Sequence, residues 1–132
     1  MNKALIIEDD DTIREILKRL LANKFNISSI EASNGKEGLR ILKNTIPDLI
    51  LLDNTMPVMD GVSFLRNLRK EEKFQDIPVL VLTAHDESEI VEQIIRLGIT
   101  DYILKPIDPK VTFKRLKSAI DRINNSKKDL QD

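Results

Sequence analysis

The sequence predicts an α/β fold in which five strand–helix repeats build a doubly wound sandwich, a parallel sheet with helices on both faces. Three observations lead there. Short apolar runs that lack alternation recur along the chain, as expected of strands buried on both sides. Amphipathic helical patterns fill the intervals between them. Each central run also gives way at once to a charged or hydroxyl-bearing residue, which gathers the polar chemistry at one end of the strands.

The first run, Ala4–Ile7, precedes a helix in which Ile13, Ile16, Leu17, Leu20 and Leu21 share one face. Ile27–Ile30 is a weaker second strand, whose serines indicate an edge position. Ser33-Asn34-Gly35 turns into a second helix with Leu39, Leu42 and Ile46 inward, and Pro47-Asp48 separates it from the third strand, Leu49–Leu52. The Asp60-Gly61 turn leads into a third helix marked by Val62, Leu65 and Leu68, and Val79–Leu82 follows as the fourth strand. The fourth helix carries Ile90, Val91, Ile94, Ile95 and Leu97 on its apolar face, with Gly98 as a left-handed cap. After the fifth strand, Tyr102–Leu104, Asp108 as N-cap and Pro109 at the first helical position open a last helix that buries Val111, Leu116, Ile120 and Ile123. That helix is expected to dissolve at Asn124-Asn125-Ser126, so residues 1–123 read as one domain and 124–132 as a polar tail or the start of a linker. Right-handed crossovers distribute the helices over both faces of the sheet.

Composition narrows the function. With 21 basic and 22 acidic residues the formal charge is −1, so no global field draws the chain to nucleic acid or an anionic membrane. Cysteine is absent, which excludes disulfides and thiolate metal sites and is compatible with a reducing compartment. No apolar stretch approaches the roughly 20 residues that span a bilayer. Met1-Asn2-Lys3 does not resemble a secretory signal, and a cytoplasmic location is the expectation.

The chemistry lies where the strands end. Ile7 is followed by Glu8-Asp9, Leu52 by Asp53, Leu82 by Thr83 and Leu104 by Lys105. In open α/β sheets the ligand crevice lies outside the carboxyl ends of the strands, so these segments converge there. Carboxylates of Glu8, Asp9 and Asp53 gathered in one place repel by roughly 4 kcal/mol per close pair at intermediate dielectric. A cation must offset that, and hard oxygen ligands suit Mg²⁺ or Mn²⁺ together with phosphate oxygens. The pattern reads as metal-assisted phosphoryl chemistry.

Four segments, Ile6-Ile7-Glu8-Asp9-Asp10, Leu51-Leu52-Asp53-Asn54-Thr55-Met56-Pro57-Val58-Met59-Asp60-Gly61, Val81-Leu82-Thr83-Ala84 and Asp101-Tyr102-Ile103-Leu104-Lys105-Pro106, together resemble the receiver domain of response regulators. The resemblance covers residues 3 to about 123. It implies a chemotaxis-regulator-like sheet of order 2-1-3-4-5. It further implies that Asp53 accepts a phosphoryl group from the phosphohistidine of a sensor histidine kinase or phosphotransfer protein. Asp9, Asp53 and the main-chain carbonyl of Thr55 would bind Mg²⁺, with Glu8 acting through a metal-bound water. Lys105 would pair with Asp53 and then with the phosphoryl oxygens, and Thr83 would donate its hydroxyl to them. The Lys105-Pro106 bond would be cis. Thr83 and Tyr102 would couple the site to a face made by the fourth helix, fifth strand and fifth helix. That face would serve a downstream protein, a covalently linked output domain or a phosphorylation-dependent dimer. Such a domain catalyses its own phosphorylation and dephosphorylation and is no enzyme otherwise. Glu8 departs from the commoner aspartate and Ile107 from a frequent phenylalanine, while Thr55 and His85 occupy variable positions that tune phosphoryl lifetime.

Plainer readings fit some of these residues better. Asp10 and Asp11 are expected as helix-start decoration, with Asp11 capping the first helix. His85 reads as a loop residue, and Lys114, Arg115 and Lys117 as a solvated face rather than a nucleic-acid contact. Tyr102 without its motif would be an ordinary core aromatic. A metal-dependent phosphatase with an aspartyl nucleophile should carry a second aspartate at Thr55. A flavodoxin-like carrier wants a phosphate-cradling loop where Glu8–Asp11 stand. A pseudo-receiver acting as a phosphorylation-independent interaction module is the remaining alternative, and retention of Glu8, Asp9, Asp53, Thr83 and Lys105 counts against it.

Overall fold

The structure, a computed structural model, describes residues 1–56, 58–84 and 88–131, the side chains of residues 88–90 and 127–131 aside. Pro57 and His85 lie outside the described residues. Ten main elements alternate along the chain: β1 (Lys3–Ile7), α1 (Asp11–Phe25), β2 (Ser28–Ala32), α2 (Gly35–Leu42), β3 (Leu49–Asp53), α3 (Gly61–Lys70), β4 (Val79–Thr83), α4 (Ser88–Arg96), β5 (Asp101–Leu104) and α5 (Pro109–Gln131). A single 3-10 turn, Glu72–Phe74, stands between α3 and β4. The strands form one parallel sheet of order β2-β1-β3-β4-β5, as expected.

Successive strand residues face opposite layers, which is why the runs show no alternation of polarity. Leu5, Ile7, Ile50, Leu52, Val79 and Val81 pack with Leu42 of α2, with Phe64, Leu65 and Leu68 of α3, and with Ile94 of α4. Ala4, Ile6, Leu49, Leu51, Leu80 and Leu82 face the other way, onto Leu17 and Leu21 of α1 and onto Leu116, Ala119, Ile120 and Ile123 of α5. Gly61 starts α3 directly against β3, since a Cβ there would meet the Asn54 Cα at 2.8 Å. Gly98 closes α4 at φ +84, where a side chain would be strained.

Several expectations are corrected. Asp10, not Asp11, caps α1: its Oδ1 accepts the Ile13 N–H at 3.0 Å, and Asp11 is the first helical residue. The second strand runs Ser28–Ala32 rather than from Ile27, which is buried just ahead of it. α2 stops at Leu42, so Ile46 falls in the following loop and is 60% exposed. Ile95 and Val111, expected inward, are 54% and 55% exposed. They lie on α4 and α5 beside β5, which is an edge strand with no further element to cover that side among the described residues. α5 does not dissolve at Asn124 but continues to Gln131. No Gly or Pro follows Pro109 to break it, and polar residues continue a formed helix at little cost once the apolar face has ended at Ile123.

Val58 stands in the β3–α3 loop at φ 71 with 74% of its surface exposed. A β-branched residue in the left-handed region costs about 1–3 kcal/mol. Val58→Asn, which tolerates that region, is expected to raise stability by about 1 kcal/mol or somewhat less, read as a higher urea midpoint at unchanged m-value. An equal or lower midpoint would contradict this account of the loop.

Candidate functional site

Parallel pairing brings the carboxyl ends of β1, β3, β4 and β5 to the same edge. Ile7 is opposite Leu52, Asp53 opposite Leu82, and Thr83 opposite Leu104. The pairing extends one step past the strands, with Glu8 N–H donating to the Ala32 carbonyl at 3.0 Å, Asn54 N–H to Leu82 at 2.8 Å and Lys105 N–H to Thr83 at 2.8 Å. Each polar residue is therefore placed by backbone hydrogen bonds made next to it.

Glu8, Asp9 and Asp53 each offer a carboxylate oxygen within 4.8 Å of the others. Glu8 and Asp53 are fully buried and Asp9 is exposed. The Lys105 ammonium reaches between the buried pair, 2.9 Å from Glu8 Oε1 and 3.1 Å from Asp53 Oδ1. Asp53 Oδ1 also accepts the Thr55 N–H at 3.1 Å. Glu8 Oε2 and Asp53 Oδ2 are buried with no hydrogen-bond partner among the described residues. The Lys105-Pro106 peptide is cis, as the motif implied.

Electrostatics follow from that packing. Burial, and then the neighbouring Asp53 carboxylate, push the Glu8 carboxyl up to about 8, against the opposing pull of Lys105. Asp9 is raised as well, first by desolvation and then by Asp53. Burial alone would lower Lys105, yet its hydrogen bonds to Glu8 and Asp53 hold it above the ordinary lysine value. Among the described residues three carboxyl groups thus face one ammonium, and the two unpartnered oxygens are buried acceptors that ordinarily find a donor or a cation. This donor set, all hard oxygen, fits a divalent cation of the magnesium type.

The other expected residues are distributed as follows. Thr83 ends β4, fully buried, one residue beyond the partner of Asp53. Tyr102 lies on β5 opposite Val81, partly buried against the α2–α4 layer. Lys114, Arg115 and Lys117 are exposed, with Arg115 near Asp101 at 3.7 Å and Lys117 bonded to Asp121 at 2.9 Å. Sequence reasoning missed Arg14, which donates to the Glu8 main-chain carbonyl at 2.8 Å. It gives no signal in the sequence, where it reads as one more charge on the polar face of α1.

The profile of the response regulator receiver domain matches residues 4–117. The chain belongs to this family. PhoB, the phosphate regulon transcriptional regulatory protein of Escherichia coli K12, is 35% identical over 122 residues, 92% of this chain and 53% of that protein. The receiver domain of a signal transduction histidine kinase from Syntrophus aciditrophicus superposes at a TM-score of 0.80 with 33% identity, covering 92% of this chain and 91% of that one. The phosphorylated cyanobacterial phytochrome response regulator RcpA does so at 0.79 with 25% identity, covering 89% of each. The chain spans about half the length of the curated relatives it matches. A receiver domain of this kind is a signalling switch rather than a conventional enzyme, and among the described residues no helix is long and apolar enough to cross a membrane.

The raised Glu8 value sets a pH dependence for the metal-free receiver. The folded state keeps a proton that the unfolded chain releases near its ordinary value of 4.5, so stability falls as pH rises from there to about 8. Asp9 adds to the same trend, whereas the Lys105 contribution persists to more alkaline pH. Stability in chelator should decline between about pH 5 and about pH 8, with a slope of at most ~1.4 kcal/mol per pH unit from Glu8, read as a falling thermal midpoint, and Glu8→Gln should flatten it. An undiminished slope in Glu8→Gln would assign the dependence elsewhere.

Proposed function

We propose that this receiver domain is a phosphorylation-dependent switch of a two-component or phosphorelay system, taking a phosphoryl group from a kinase or phosphotransfer phosphohistidine onto Asp53. The observation that carries the reading is the setting of Asp53. It is fully buried at a strand end, with one oxygen held by Lys105 and the Thr55 N–H and the other unpartnered, beside Glu8 and Asp9. An Asp53 carboxylate oxygen attacks phosphorus as the bond to the donor imidazole nitrogen breaks; the phosphoimidazole carries a proton on its other ring nitrogen, so a neutral histidine is left on the partner. Asp9, Asp53 and the Thr55 main-chain carbonyl would hold Mg²⁺ or Mn²⁺, with Glu8 completing the pocket. The bound cation supplies the charge neutralisation that lets an anionic phosphoryl group approach anionic carboxylates.

Lys105 follows the developing charge, moving its donation from Asp53 to the phosphoryl oxygens, and Thr83 donates its hydroxyl to the same group. Thr83 and Tyr102 relay the change to the α4, β5 and α5 face. Ile95, Leu104 and Val111 on these elements are large apolar residues left exposed, which supports a protein-binding role. The partner there is a covalently linked output domain, a separate downstream protein or a second copy in a dimer formed on phosphorylation. Residues 1–123 constitute the domain, and 124–132 a polar extension or the start of a linker. The location is cytoplasmic. The basic residues of α5 make no direct nucleic-acid contact.

Incubation with acetyl phosphate and Mg²⁺ is expected to add about 80 Da to the intact mass, one phosphoryl group. The gain should vanish in chelator and in Asp53→Asn. Uptake of a labile phosphoryl group by Asp53→Asn would refute the acceptor assignment, and no uptake by the unaltered protein would favour the pseudo-receiver. Lys105→Ala should still bind Mg²⁺ but show no change of amide exchange on α4 and β5 with beryllofluoride, a phosphoryl mimic. A wild-type response in that variant would remove Lys105 from the switch.

A further inference from the structure

The β1–α1 turn, which presents Glu8 and Asp9, is bracketed by one side chain outside the acidic cluster. Arg14 is largely buried in the first turn of α1. Its Nη1 donates to the Glu8 carbonyl oxygen at 2.8 Å, its Nε to Glu31 Oε1 at 3.3 Å, and its Nη2 pairs with Asp11. Glu31 lies on β2, and the next residue, Ala32, accepts the Glu8 N–H at 3.0 Å. The Glu8 backbone is therefore tied to the end of β2 from both sides, directly through its N–H and by way of Arg14 through its carbonyl. That carbonyl and the Asp9 N–H belong to one planar peptide, so fixing it fixes the positions of the Glu8 and Asp9 Cα atoms and narrows the directions in which both acidic side chains leave the backbone.

We propose that Arg14 is a positioning residue for divalent-cation binding, holding the Glu8–Asp9 peptide so that both carboxylates face Asp53 despite their mutual repulsion. The proposal rests on the metal reading given above. The planar guanidinium fork meets a main-chain carbonyl and carboxylates on two elements through separate donors fixed in one plane, a geometry that the point charge of an ammonium does not reproduce. Arg14 touches the cluster through the Glu8 backbone, and Asp11 and Glu31 balance its charge. Its action is thus geometric. If it acted instead through its field, a nearby positive charge would repel the cation, and removing it would tighten binding. The two accounts predict opposite signs.

Calorimetric titration with Mg²⁺ separates them, using the unaltered chain, Arg14→Gln, Arg14→Lys and Asp9→Asn, with metal-free thermal midpoints alongside. Arg14→Gln should bind Mg²⁺ about 10-fold or more weakly, in the range found when groups that orient metal ligands are removed. Arg14→Lys should recover only part of that loss. Metal-free midpoints report separately what loss of the part-buried hydrogen bond to the Glu8 carbonyl and of the pairs with Asp11 and Glu31 costs the fold. Arg14→Gln binding as tightly as the unaltered chain, or more tightly, would overturn the proposal. If that variant does not fold, wild-type affinity in Arg14→Lys overturns it equally. Absence of Mg²⁺ binding by the unaltered chain, or binding that Asp9→Asn does not weaken, refutes the metal reading itself and this proposal with it.

Discussion

The Lys105 ammonium between Glu8 and Asp53 is the contact on which the carboxyl end of the sheet depends. Two acidic side chains with no exposed surface cannot both ionise in an apolar setting unless charge and hydrogen bonds are supplied to them. Lys105 supplies both to one oxygen of each. Among the described residues it leaves the second oxygen of each unpartnered and acts on Asp9 only through its field. The arrangement is consequently under-neutralised by construction, and the protonation of Glu8 up to about pH 8 is how the metal-free fold accommodates it.

The remainder of the fold makes such a cluster tolerable by fixing its backbone. Strands with every residue buried place Asp53 and Thr83 at their last positions, and the α1/α5 and α2–α4 layers hold the sheet from both faces. The opposite edge is locked by Arg69 of α3, whose Nε, Nη1 and Nη2 donate to the carbonyls of Leu97, Phe74, Gln75, Ile77 and Gly98. One half-buried guanidinium thereby joins the end of α3 to the segments that enter β4 and β5. Its charge meets carbonyl dipoles, and burial lowers its affinity for its proton. The amino edge of the sheet is thus held by neutral acceptors around a cation, while the carboxyl edge concentrates anions around another.

How much of this was legible in the sequence follows from what each feature requires. The buried strands were legible because covering both faces leaves an unbroken apolar run, and the acidic triad because the Glu8-Asp9 pair and Asp53 each follow such a run. The sheet order was legible through the family resemblance. Exposure of Ile95 and Val111 was not, because a helical period shows that a face is apolar without showing whether anything covers it. The cap of α1 was ambiguous between Asp10 and Asp11, since either aspartate has the chemistry and only the backbone geometry chooses. Arg14 was illegible for a different reason. Its partner at the site is a main-chain carbonyl, which has no sequence signature, and Glu31 is brought to it only by pairing of β1 with β2.

Excess negative charge at a rigid edge has a thermodynamic consequence. Any species that delivers positive charge or hydrogen-bond donors to Glu8 Oε2 and Asp53 Oδ2 binds the folded state and not the unfolded chain, and so raises stability by mass action. Apolar residues in place of the cluster would remove the repulsion and the unpartnered oxygens, and would make the metal-free fold more stable. They would also leave the edge indifferent to ligand. Sensitivity and instability here have the same physical source, the incomplete neutralisation of buried carboxylates, so one cannot be reduced without the other. A backbone bracket such as Arg14 escapes that conflict, because it orders the carboxylates without cancelling their charge.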